Sequence, residues 1–145
     1  MMKVDPITLS VVRGILETTQ REMTLSLEKT SRSSVLNLAR DYSTSLFNAT
    51  PEMILQGQDI PIHLGSLMPA MKAVANFFSG EIHEGDLILH NDPAYNGSHI
   101  LDMCIYKPVF FEGKHVFWTV CKGHLTDAGG PVPASYNPEA TEIFA

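Results

Sequence analysis

Two runs of strand-forming residues, Met103 to Phe111 and His115 to Lys122, are separated only by Glu112-Gly113-Lys114. A connector that short predicts an antiparallel hairpin. The pairing fixes which residues meet at the open end. If the turn pairs Phe111 with His115, then Asp102 falls opposite His124 and His99 opposite Asp127. Directly opposed side chains start with Cβ atoms about 4.5 to 5.5 Å apart, within reach of one ion. A turn tighter by one residue would put the members of each pair on opposite faces, and one tighter by two would bring them back to a common face.

That open end carries two motifs of the same form, His99-Ile100-Leu101-Asp102 and His124-Leu125-Thr126-Asp127. Two imidazoles and one carboxylate suit Mn²⁺, Fe²⁺ or Zn²⁺, because they combine neutral and anionic donors and leave coordination positions open. Open positions are what Lewis-acid catalysis needs. Asp127, outside the ligand set, would orient a ligand histidine by accepting its other ring N–H, or it or a bound water would move protons as the catalytic group. The plainer alternative is that a histidine near a strand end simply makes a hydrogen bond. On that ground His83 and His115 read as solvent-facing, and His63 as a hydrogen bonder at the core edge that could line the same pocket. Gly129-Gly130 reads as a sharp turn, since no phosphate-loop pattern surrounds it.

The rest of the chain supplies helices. Asp5 followed by Pro6 is an N-cap with proline at the first helical position, and Val12, Leu16, Thr19, Met23 and Leu27 recur at three-to-four spacing. This predicts a long amphipathic helix over 6–29 whose Val12, Leu16 and Met23 stripe is buried against the sheet or against a partner subunit. Short strands over 42–47 and 53–55 form a hairpin, and Ser66 caps a second, shorter helix running to Phe78 and ended by Gly80. Residues 86–90 make a strand leading into the loop 91–98, and the proline- and glycine-rich stretch 129–138 is a loop. The fold class expected is α+β: a long first helix, a second short helix and a β-rich carboxy-terminal part with an antiparallel hairpin. Pro138 to Ala145 reads as the opening of a helix cut off within about two turns, so the chain is expected to be a truncated piece.

Composition narrows the function classes. The 145 residues carry a formal charge of −6 without a Lys/Arg cluster, which disfavours nucleic acid and anionic membranes as partners. No stretch approaches the ~20 apolar residues of a membrane span, and the start lacks a signal-peptide core, so a cytoplasmic location is expected. Cys104 and Cys121, in apolar surroundings, are expected to be buried free thiols.

Seven segments in order, Asp5 to Leu9, Asp41 to Ser43, Asp59 to Ser66, Gly85-Asp86, Asn91 to Pro93, Gly97 to His99 and Gly123 to Gly130, resemble the amino-terminal part of hydantoinase B/oxoprolinase family subunits. The resemblance covers nearly the whole chain. It implies a metal-containing subunit of an ATP-dependent cyclic-amide hydrolase or of a ketone carboxylase. A hydantoinase A-type partner would handle ATP and Mg²⁺ in a hetero-oligomer. In the related acetone carboxylase, manganese is bound by two histidines and an aspartate, and the matching positions here are His99, Asp102 and His124. Two departures, a single histidine at Gly123-His124 and the segment Leu36 to Arg40, leave the substrate open between cyclic amide and ketone.

Two other functions compete. A non-haem iron oxygenase shares the ligand set, but its usual two-residue step from His to Asp is absent, since three positions separate His99 from Asp102. A structural or assembly module would dock a partner through its first helix and need no metal.

Overall fold

The computed structural model describes residues 4–133 and 137–142. Helix α1 spans Pro6–Thr30 and the one-turn helix α2 Ser34–Asn37. Strands β1 (Tyr42–Asn48) and β2 (Met53–Gln56) follow, then helix α3 (Pro61–Phe77). Strand β3 (Ile88–His90), a 3-10 turn over Pro93–Tyr95, and strands β4 (Asp102–Phe111) and β5 (Lys114–His124) complete the order. All strand pairs are antiparallel, in one sheet ordered β2-β1-β5-β4-β3. The class is α+β.

Helix α1 begins as its sequence dictates, with the Asp5 carboxylate accepting the N–H groups of Ile7 and Thr8 and Pro6 in the first turn. It meets β1 through polar contacts: the Gln20 amide donates to the Thr44 hydroxyl at 2.9 Å, and the Thr24 hydroxyl lies 2.7 Å from it. This seat lies in the second half of the helix. Val12 therefore stays 45% exposed, with Ile7, Val11 and Ile15 also exposed, and the expected continuous buried stripe is not formed within this chain.

The helix expected to begin at Ser66 is α3, and it starts at Pro61. Proline fixes the first helical φ and needs no N–H partner there, so the helix opens after Ile60 without a side-chain cap. Ser66 instead donates its hydroxyl to the His63 carbonyl at 2.9 Å. The early start puts His63 on α3 itself.

Helix α3 covers the other sheet face. Its Leu67, Met71 and Val74 pack with Phe47, Cys104, Tyr106, Trp118 and Val120 in one buried cluster. Cross-strand pairs share a face, so the pairings Phe47↔Trp118, Ser43↔Lys122, Tyr106↔Val120 and Asp102↔His124 place all these residues on the α3 side. The apolar part is the core, and the polar part lies at one end of the same face, beside the first turns of α3.

The β4–β5 turn is tighter than expected, because Phe111 pairs with Lys114 and not with His115. Glu112 and Gly113 both have positive φ, 49° and 73°, the signature of a two-residue type I′ turn, whose twist matches that of the strands. A register shift between Val109 and Phe110 then leaves Val116 unpaired, after which Asp102 does stand opposite His124. His115 also departs from expectation: it is half-buried, with its ring edge-on to Trp118 at 4.7 Å and Nε2 2.9 Å from the Phe117 carbonyl oxygen. His83 is exposed, Cys104 is a buried free thiol, and Cys121 is only half-buried. Around Pro138 the chain makes a turn based on Asn137, whose side chain accepts the Glu139 N–H at 3.1 Å, rather than a helix. Residues 143–145 of that expected helix lie outside the described residues, as do 134–136 of the preceding loop. Among the described residues no helix is long and apolar enough to cross a membrane.

Candidate metal centre

The segment between the 3-10 turn and β4 is built to aim side chains. The Asn96 backbone is left-handed at φ 67°, and the Gly97 N–H bonds the Asp92 carbonyl at 2.9 Å. A Cβ at Gly97 would lie 2.7 Å from that carbonyl oxygen, so only glycine fits the approach. The next turn is closed by the Asp102 N–H on the His99 carbonyl at 2.9 Å. Leu101, 2% exposed, anchors it from below, and the Asn91 amide clamps it from the side through the Ile100 carbonyl at 2.7 Å. This turn brings the side chains of His99 and Asp102 together.

Strand β5 brings the third member. The His124 N–H bonds the Asp41 carbonyl at 3.0 Å, which ties the end of β5 to the start of β1. Asp102 Oδ1 then lies 3.1 Å from His99 Nε2 and 3.1 Å from His124 Nδ1. One donor atom from each of the three residues falls within 4.8 Å of the others. Donors around one ion at bonds of about 2.0 to 2.2 Å stand about 3 to 3.5 Å apart, so a small closure would let these three reach a common ion. The donor chemistry fits Zn²⁺, Mn²⁺ or Fe²⁺, and His99, with its side chain 52% exposed, leaves one flank open to solvent.

Beneath these three lies a buried polar network. Lys122, 1% exposed, places Nζ 2.9 Å from Asp102 Oδ2, 2.8 Å from Ser66 Oγ and 2.6 Å from Ser98 Oγ. Ser98 in turn donates to Asp102 Oδ2. Burial alone would raise the Asp102 carboxyl, but hydrogen bonds from Ser98 and Lys122 and the Lys122 charge outweigh it and hold the group at about 2. His63, 3% exposed, has Nδ1 3.0 Å from Ser43 Oγ, and Nε2 3.4 Å from Asp41 and 3.9 Å from Asp102. Burial, helped by the Lys122 charge, lowers its pKa below the ordinary value, so it is held neutral.

His99, Asp102 and His124 thus converge, whereas Asp127 sits apart. It is exposed, and its carboxylate accepts the Gly129 N–H at 2.7 Å, forming the sharp turn read at Gly129-Gly130. The residues missed are Lys122, Ser98, Ser66 and Asp41, the last 4.0 Å from His124 Nδ1. One signal was present: Trp118, Val120 and Lys122 alternate on one strand face, and a lysine on an apolar stripe needs a buried partner. A groove of about 680 Å³ between α1 and the β1–β2 edge, lined by Glu17, Arg21, Glu28 and Asp59 among others, contains none of the three donors. Ligand chemistry, not volume, marks the centre.

Residues 5–145 match the family model described as hydantoinase B/oxoprolinase. The caprolactamase subunit beta of Pseudomonas jessenii is 77% identical over 145 residues, which cover 100% of this chain and 25% of that protein. The crystal structure of the ATP-dependent caprolactamase from Pseudomonas jessenii matches with a TM-score of 0.90 at 77% identity, over 99% of this chain and 25% of that one. A nucleotide-free acetone carboxylase structure matches with a TM-score of 0.78 at 23% identity, over 88% of this chain and 17% of that one, which is a likeness of fold. The chain spans a quarter of the caprolactamase subunit's length.

Proposed function

The chain belongs to the hydantoinase B/oxoprolinase family, and from that premise we propose that it forms the metal-holding part of a longer subunit of an ATP-dependent lactam hydrolase. One observation carries the metal assignment: the donors of His99, Asp102 and His124 lie within 4.8 Å of one another on rigidly tied backbone. Lactam is favoured over ketone because the caprolactamase relative is 77% identical over the whole chain, while the acetone carboxylase likeness, at 23%, is one of fold. An ATP-handling partner subunit, of the hydantoinase A type, completes the proposed enzyme.

The residues divide the work by position. His99, Asp102 and His124 would hold the ion, which would supply Lewis-acid polarisation of a substrate or water oxygen. Asp102 presents Oδ1 to the two imidazoles while Oδ2 stays held by Lys122 and Ser98. The exposed flank of His99 is the side from which a substrate enters. Asp41, with Oδ1 3.4 Å from His63 Nε2 and Oδ2 4.0 Å from His124 Nδ1, is the carboxylate nearest both imidazoles and would accept a proton there. Asp127 is exposed, and its carboxylate accepts the Gly129 N–H.

The test uses the full-length subunit purified with its ATP-handling partner and never exposed to chelator. About one equivalent of a transition metal and ATP-dependent opening of caprolactam to the amino acid are expected. Metal below a small fraction of an equivalent would favour the assembly-module reading. Metal with no lactam opening, but with carboxylation of a ketone, would transfer the chain to the carboxylase branch.

A further inference from the structure

We propose that Lys122 is the internal counter-ion of this centre: it holds Asp102 by Oδ2 whether or not a metal is bound, and so confines the carboxylate to one-oxygen binding through Oδ1. The inference rests on the metal reading above and adds to it which oxygen of the carboxylate binds the ion and what holds the other. An ammonium has three donors, and Lys122 has three acceptors in reach: Asp102 Oδ2 at 2.9 Å, Ser66 Oγ at 2.8 Å and Ser98 Oγ at 2.6 Å. The serine hydroxyls, accepting from Lys122, must donate onward. They do, Ser66 to the His63 carbonyl and Ser98 to Asp102 Oδ2.

Every proton in this network therefore has one direction. Oδ2 receives two donors, from Lys122 and Ser98, and has no lone pair left for an ion. Oδ1 faces His99 and His124 at 3.1 Å each. Turning the carboxylate to chelate with both oxygens would strand a buried ammonium without its counter-charge. The centre thus offers one carboxylate oxygen and two imidazole nitrogens. Such a set suits Zn²⁺, Mn²⁺ or Fe²⁺ and rejects Ca²⁺, which takes six to eight oxygens and uses bidentate carboxylates. Lys122 and the ion act on opposite oxygens of one carboxylate and repel each other, so each weakens the other's hold.

Crystal structures of the full-length wild-type subunit, chelator-treated and zinc-loaded, decide the matter. The expected result is zinc on Oδ1 alone, with the Lys122 and Ser98 contacts to Oδ2 kept in both states. Zinc on Oδ2, or Lys122 moved out of hydrogen-bond range, overturns the inference while leaving the metal reading intact. No zinc uptake at this centre overturns both. Thermal melts of Lys122→Met give a second reading. The zinc-free variant should melt below zinc-free wild type, and its zinc-induced rise in Tm should exceed that of wild type. A smaller or equal rise contradicts the counter-ion role, because a merely structural lysine would not couple to zinc. Should the variant fail to fold, the paired wild-type structures decide alone.

Discussion

Asp102 stands directly opposite His124 in the β4–β5 ladder, with Oδ1 3.1 Å from His124 Nδ1, although the turn joining the strands is one residue tighter than that pairing requires. Val116 makes up the difference. Left unpaired where the register shifts beside Val109, it returns Trp118, Val120, Lys122 and His124 to the α3 face. A one-residue slip without the bulge would turn all four outward. The same residue thus serves the core and the site.

The turn itself holds a correctable strain. Glu112 occupies the first type I′ position at φ 49°, where asparagine is preferred. Glu112→Asn should stabilise the fold by about 0.5 to 1 kcal/mol. The substitution lies at the far end of β4 from Asp102, so metal content should not change. Calorimetry and elemental analysis on the same sample check both statements, and an unchanged or lower Tm would mean that the turn is not the I′ form.

Stability of the chelator-treated protein should fall in two steps as pH decreases. His63 has a folded pKa below its ordinary 6.5, so its contribution is complete above 6.5 and declines as pH falls below that value. Asp102 is depressed from 3.8 to about 2, so its contribution is complete above 3.8 and is lost as pH falls toward about 2. The second step is worth about 2 kcal/mol. His63→Gln should abolish the first step and keep the second. Denaturant midpoints that stay flat from about pH 7 to 5 in wild type would show His63 to be free of its burial penalty.

Much of this was legible in local chemistry. The Asp5-Pro6 cap, the β1–β2 hairpin and the β4–β5 pairing follow from residues that act on near neighbours. The start of α3 was not legible, because no side chain caps it and the nearest good capping residue, Ser66, lies inside the helix. The bulge at Val116 was not legible either, since it reconciles a locally preferred turn with a globally required face. At the site, the expected register paired Asp102 with His124 through a Phe111–His115 turn that does not form, and the pair survives only because the bulge restores it; the resemblance added His99. The counter-charge escaped because Lys122 meets Ser66 and Ser98, partners 56 and 24 positions away that only the packing of α3 and the loop brings near.

Gly97→Ala should damage the centre without touching a ligand. The added Cβ would come within 2.7 Å of the Asp92 carbonyl oxygen, so the loop must move, at a cost of about 1 to 3 kcal/mol. Ser98 and His99 move with it. Metal affinity should fall by about 10-fold to 100-fold, as for a lost supporting contact. Gly14→Ala is the control, because a Cβ there meets nothing within 4 Å and alanine favours the helix by about 1 kcal/mol. A Gly97→Ala protein with wild-type zinc affinity would show that the loop adapts and that its tight approach to Asp92 is unrelated to the site.

The three ligand positions should separate by burial when each is replaced by alanine. His99, with its side chain 52% exposed, contributes little to the metal-free fold, so His99→Ala should lose metal and turnover while the stability of chelator-treated protein changes by less than about 1 kcal/mol. Asp102 is different. It is 4% exposed and is the carboxylate partner of the buried Lys122 ammonium, so Asp102→Ala leaves a charge without its counterpart, at about 3 to 5 kcal/mol. His124, with its side chain 18% exposed, should fall between the two. The double variant Asp102→Ala with Lys122→Met removes both charges and should recover part of the stability without recovering metal. Denaturant unfolding and metal analysis of the four variants provide the check. An Asp102→Ala protein as stable as His99→Ala would show that the ammonium finds enough in Ser66 and Ser98 alone.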